Sequence, residues 1–139
     1  MTRSGRWTAA VLSFALLGAL AGCGGGGSAA AAPPRPTCDA QLQILSPQPN
    51  EVVGPTPTVR FNLIGGTVVS ITTGPISCAQ GHIHVLVDSQ LVSMAYGLVQ
   101  TLPTPLAPGP HALQAEYVAI DHKPFANRVI NKVLFQVKA

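Results

Sequence analysis

Charged side chains make up only 9% of the 139 residues and aromatic ones 5%, and each shortage excludes a class of function. Of the eight lysines and arginines, Arg3 and Arg6 lie in the first six residues. The other six, Arg35, Arg60, Lys123, Arg128, Lys132 and Lys138, stand against Asp39, Glu51, Asp88, Glu116 and Asp121, so the body of the chain is nearly neutral at +1. No basic patch exists to release counterions from phosphates, which excludes nucleic-acid binding. The only tryptophan is Trp7, and Phe14 lies in the same N-terminal run. Tyr96, Tyr117 and three phenylalanines leave little stacking surface for a sugar. The chain also lacks a G-x-S-x-G elbow, a C-x-x-C pair, a P-loop and a segment of paired carboxylates. A Ser-His-Asp triad assembled across distance has no local support. The expectation is a protein that is not an enzyme.

What is present begins with an address. "MTRSGR" carries two arginines and no acid, and "WTAAVLSFALLGALAG" is an apolar run ending in small residues. That is the pattern of an export signal, too short and too soon followed by glycine for a spanning helix. The run ends in Leu20-Ala21-Gly22-Cys23, which resembles the lipobox of bacterial lipoproteins. The resemblance implies cleavage before Cys23 and acylation of that residue, and several acyl chains together anchor stably. The partner so implied is a membrane, and the location is the bacterial cell envelope, facing periplasm or exterior. Residues 1–22 are then signal, and residues 23–37, "CGGGGSAAAAPPRPT", are the lipidated cysteine and a tether. Its glycine and serine are flexible and its alanine and proline stiffer.

With Cys23 given to lipid, Cys38 and Cys78 are the two remaining thiols in an oxidising compartment. They are expected to form one disulfide rather than thiolate ligands.

Residues 38–139 suffice for one core. Outside the signal no helical apolar period persists for two turns. "VRFNL" alternates, with Val59, Phe61 and Leu63 on one face. "HIHVLVDSQLVSMAY" reads as a hairpin turning near Asp88–Gln90. Leu113, Ala115 and Tyr117 share a face, and Val129, Val133, Phe135 and Val137 alternate with Arg128, Lys132, Gln136 and Lys138. Fourteen glycines and thirteen prolines punctuate the chain at the spacing short strands require. The expectation is all-β: an immunoglobulin-like antiparallel β-sandwich of about seven strands. The cysteine positions and the missing tryptophan exclude an antibody-type domain.

All four histidines, His82, His84, His111 and His122, lie in this domain. Residues i and i+2 of a strand share a face, so His82 and His84 project together, opposite Ile83, Val85 and Val87. The β-branched residues make the natural core face, leaving the imidazoles on the outer or rim side, half-exposed. Hairpin pairing would place them beside Ser93 or Ala95, with Met94 turned toward the core. Two such imidazoles can chelate Zn²⁺ or Cu²⁺, and a third ligand would have to be His111 or His122. Without one, His82 and His84 are ordinary strand residues bonded to neighbours or water, and the chain needs no cofactor.

The run "GHIHVLVD", then "LAPGPHALQAEYVAIDHKPF", then "VLFQV" resembles a group of small exported bacterial domains of unknown function over residues 40–139. Their shared features are a Gly-His-x-His strand, a Pro-Gly-x-His-x-Leu strand and a His-x-Pro loop, on which all four histidines fall. The resemblance implies a sandwich and an extracytoplasmic setting. The "GHIH" strand is also similar to the copper-binding strand of copper/zinc superoxide dismutase, but the zinc loop and metal-holding aspartate of that family have no counterpart here. Two readings follow. One is a membrane-anchored binding or structural module for an unknown protein or envelope ligand. The other is an envelope copper- or zinc-binding protein using His82 and His84 with His111 or His122.

Overall fold

The computed structural model describes residues 33–138. The signal, the lipobox with Cys23 and the first part of the tether lie outside the described residues. The strands are β1 (Gln41–Ser46), β2 (Val52–Val53), β3 (Thr58–Ile64), β4 (Thr67–Val68), β5 (Gln80–Val87), β6 (Gln90–Ala95), β7 (Val99–Thr101), β8 (Gly109–Ala119) and β9 (Pro124–Val137). Two are two-residue pairings, which leaves seven strands of three residues or more, as the spacing of turn residues predicts.

They form two sheets. One has the order β1-β3-β7; the other runs β2-β9-β8-β5, and the far edge of β5 is shared by β4 and β6. All the longer pairings are antiparallel, whereas β2 with β9 and β4 with β5 are short parallel pairs. The architecture is a β-sandwich. Leu42, Val59 and Phe61 of the first sheet meet Ile83, Val85, Leu113, Ala115, Tyr117, Val133, Phe135 and Val137 of the second, all buried. These are the inward members of each alternating run, so period-two patterning and burial agree.

Cys38 and Cys78 are bonded, with their Cα atoms 5.0 Å apart, across 40 residues of sequence. The bond fastens the entry of the domain to the turn just before β5. Nearby, Gly81 explains the first letter of the Gly-His-x-His motif. A Cβ there would stand 2.1 Å from the carbonyl oxygen of Val118 and 2.8 Å from the Tyr117 ring. Only glycine lets β5 and β8 approach this closely. The Tyr117 hydroxyl, on the other side of that contact, donates to the carbonyls of Cys78 and Thr67 at 3.1 and 3.3 Å.

The β5–β6 hairpin departs from the expected register. Its two-residue turn is Asp88–Ser89, both at positive φ (50° and 71°), the primed geometry whose twist suits a hairpin. Val87 faces Gln90 and Leu86 faces Leu91, but Val85 then faces Ser93, so Val92 is an extra, bulged residue. Beyond the bulge every partner is displaced by one. His84 faces Met94 and Ile83 faces Ala95, where a plain hairpin would have set Ser93 beside His84 and Ala95 beside His82. Ala95 becomes core at 1% exposure and Met94 stands outside at 40%. The expectation that Met94 is a core residue is overturned by that single inserted residue.

Candidate functional site

His82 and His84 do project from the outer face of β5, opposite the core residues Ile83, Val85 and Val87. They are not alike. His84 is half-buried, whereas His82 is completely buried. The outer face is not bare at this end, because two loops fold over it. The segment following β4 offers the carbonyl of Val69 to His82 Nδ1 at 2.7 Å, and the turn between β8 and β9 offers that of Ile120 to Nε2 at 3.1 Å. Val118 and Ile120, also buried, belong to this small outer cluster and not to the main core. Gly74 packs against Ile120, since a Cβ on it would touch the Ile120 side chain at 3.4 Å. The expectation of a half-exposed His82 fails because covering loops cannot be read from strand alternation.

The β8–β9 turn brings the third imidazole. His122 sits at φ 61°, a left-handed conformation that histidine, asparagine and aspartate adopt more readily than other side chains. Its amide donates to the Ala119 carbonyl at 2.9 Å, and Ala119 N–H donates to the Lys123 carbonyl at 3.1 Å. The turn throws the His122 ring back over the sheet. It stacks on His82 with centroids 4.4 Å apart and lies nearly parallel to His84 at 5.7 Å. His84 Nε2 and His122 Nδ1 are 3.4 Å apart. Tyr96 presents its ring edge-on to His82 at 5.0 Å and to His122 at 6.4 Å. Burial, and then the neighbouring His122, lower the His84 pKa below its ordinary value; Glu116 works the other way.

Two carboxylates border this cluster, and each is taken by an arginine. Glu116 pairs directly with His84 across β5 and β8. It is buried and receives a two-pronged bond from Arg128 at 2.7 and 2.5 Å. Asp121, adjacent to His122, accepts both Nη1 and Nη2 of Arg35 at 2.7 and 3.0 Å. Arg35 also donates to the carbonyls of Lys123 and Pro124 at 2.9 and 3.0 Å. This pairing holds Asp121 below the usual carboxylate range. Sequence reasoning assigned no role to Arg35, which was read as part of the tether. The pairing spans 86 residues, and no local pattern signals it.

His111 lies elsewhere. It is on β8 at the opposite end of β5, where Nδ1 faces Asp88 Oδ2 at 2.7 Å and Nε2 faces the Ala107 carbonyl at 2.8 Å, both donating when the ring is protonated. Its ring tilts against Phe135 at 5.8 Å. The expected third partner of the His-x-His strand is therefore His122, and His111 does not join it. Among the described residues, no three His, Cys, Asp or Glu side chains converge to hold a metal ion. His82 accounts for part of that: its nitrogens face the Val69 and Ile120 carbonyl oxygens, so the ring edge is turned to the two covering loops and not to a shared ion position. The pair left with facing nitrogens is His84 and His122.

No protein-family model matches the chain, and comparison with curated proteins finds no match. Solved structures with a similar chain path include the fibronectin(III)-like modules of CbhA from Clostridium thermocellum. Identity there is 17% over 70% of this chain and 96% of that one, with a TM-score of 0.46. CopC from Methylosinus trichosporium OB3b is similar at 21% identity over 71% of this chain and 93% of that one, with a TM-score of 0.40. Neither similarity bears on ligand or activity.

Proposed function

We propose that this chain is a lipid-anchored, extracytoplasmic, non-enzymatic β-sandwich module that captures a transition-metal ion between His84 and His122. The observation that carries the reading is the 3.4 Å separation of His84 Nε2 and His122 Nδ1. Two nitrogens each about 2.05 Å from one ion at a tetrahedral angle stand about 3.3 Å apart. In the absence of an ion, one ring donates to the other across the same gap. His82 then acts as the floor of the site: its ring is fixed by the Val69 and Ile120 carbonyls and supports His122 by stacking. The site is made on two rigid elements, with the turn clamped by Arg35; its two rings, which face nitrogen to nitrogen, tilt to bring both lone pairs onto one ion.

The test is a titration of the full chain in detergent with Zn(II) and Cu(II), followed by calorimetry. One ion per chain is expected, with affinity falling at least about a hundredfold in His84→Gln or His122→Asn, because a two-imidazole site loses half its ligands. Asparagine tolerates the left-handed turn, so the second variant keeps the backbone. If the wild-type chain binds neither ion, the stacked imidazoles are a packing device that fastens two loops to the sheet. The domain is then a plain module for another envelope ligand. For the anchor, Cys23→Ala should move the protein from the membrane to the soluble fraction. A wild-type protein carrying no lipid mass would contradict it.

A further inference from the structure

The face that bears His84 and His122 is unusual for what it withholds. Both nearby carboxylates, Glu116 and Asp121, are held by an arginine through two bonds each. Either would have to give up its two-pronged arginine pair to face an ion, and Glu116 would have to do so from a buried position. The disulfide consumes Cys38 and Cys78. Anionic oxygen and thiolate, the donors that hold hard or divalent ions most firmly, are therefore withdrawn from the neighbourhood.

Among the described residues, the soft donor on this face is Met94. The bulge at Val92 sets Met94 directly opposite His84 in register. Residues directly opposite in an antiparallel pair share a face, with Cβ atoms about 5 Å apart. Met94 is 40% exposed, so its thioether is open to solvent on the same face as His84. Its three rotatable bonds let the thioether swing over the neighbouring imidazole without any movement of the backbone. Without the bulge Ser93 would stand there, and a soft donor would be replaced by a hydroxyl.

We propose that Met94 supplies a third, thioether ligand beside His84 and His122, making this a site for a soft monovalent ion, Cu(I) or its surrogate Ag(I), in preference to Zn(II). The inference rests on the metal reading of the His84–His122 pair and specifies its ion. Two imidazoles and a thioether carry no charge, so a monovalent ion enters with the least uncompensated charge. Thioether sulfur selects Cu(I), whereas Zn(II) draws far less from it.

The test uses the full chain carrying Cys23→Ala, so that no free thiol competes, with the disulfide intact and ascorbate as reductant. Cu(I) affinity is measured by competition with bicinchoninate, and Zn(II) affinity by calorimetry on the same samples. Met94→Leu preserves size and removes only the sulfur. It should weaken Cu(I) binding about tenfold or more and leave Zn(II) binding unchanged. Equal loss for both ions, or no loss for Cu(I) while His84→Gln abolishes binding, overturns the role of Met94 and leaves the histidine site standing. Binding of Cu(I) that survives both His84→Gln and His122→Asn overturns the inference and the site together.

Discussion

At one end of β5, His82, His84 and His122 lie ring against ring; at the other, His111 is held between the carboxylate of Asp88 and the carbonyl of Ala107. Both places are made of the same residue type on β5, β8 and the turn that follows β8, yet they are chemically opposite. His111 meets an acceptor at each nitrogen. The Ala107 carbonyl first, and then Asp88, raise its pKa above the ordinary histidine value. His84 meets another imidazole, and burial with His122 lowers its pKa. The difference teaches that strand position alone does not make a histidine a ligand. What decides is whether the covering loops bring acceptors to its nitrogens or leave them facing one another.

The largest effect that would break the comparison concerns the disulfide, which fastens the three-histidine end alone. Closing the 40-residue separation between Cys38 and Cys78 contributes on the order of 4 kcal/mol in the chain-entropy model. Cys38→Ser should lower stability by roughly that amount in denaturant unfolding of the oxidised protein. Equal stability of the variant and the wild type would mean that this end is held by its packing alone.

Next comes His82. Replacing it with Ala removes a fully buried ring, breaks its contacts with the Val69 and Ile120 carbonyls and takes the floor from under His122. About 3 kcal/mol should be lost. His111→Ala removes an ion pair to an exposed aspartate together with some packing on Phe135, and should cost about 1 kcal/mol. Unfolding midpoints of the two variants measured side by side sharpen the contrast; equal costs would erase it.

A smaller effect is expected at Arg128, the partner of buried Glu116. Arg128→Ala strands a carboxylate beside His84, and about 1–2 kcal/mol should be lost. If instead stability is unchanged, Glu116 finds another partner, and the claim that it is withdrawn from the metal face weakens.

The alternation of "VRFNL" and of "HIHVLVD" named the core residues because each buried strand shows one face inward, and period two is enough to read that. The Cys38–Cys78 pair was legible because only two thiols remained once Cys23 was set aside. The site was half legible. The shared face of His82 and His84 follows from period two, whereas the burial of His82 depends on loops whose path alternation does not encode. The bulge at Val92 carries no marker residue, so Met94 and Ser93 exchanged faces relative to expectation. His122 announced itself only as a histidine in a proline-bounded turn. Its left-handed backbone, which aims the ring, becomes visible only in three dimensions.

The smallest effect is the most discriminating, because its sign differs between the two ends. His111 has its folded pKa raised, so its contribution is fully present below the unfolded value of about 6.5 and is lost as pH rises through the folded value. Asp88 is lowered, by the Ala112 N–H first and His111 second. Its contribution is present above the unfolded value of 3.8 and is lost as pH falls through the folded one. The clasp is therefore complete between the two ordinary values, in mildly acidic solution. His84 runs the other way. Its folded pKa is lowered, so the unfolded chain takes up the proton first and stability declines as pH falls below about 6.5. Between pH 8 and pH 5 the wild-type profile sums a gain at the His111 end and a loss at the His84 end. Removing one side should expose the other: His111→Gln should make stability fall more steeply on acidification, and His84→Gln should make it fall less or rise. The His111 contribution should shrink in high salt because Asp88 is exposed, whereas the His84 contribution, set first by burial, should persist. Stability profiles of both variants at low and high ionic strength, without added metal, read all of this directly. Profiles that shift in the same direction would mean that the two ends of β5 are not the opposites their contacts describe.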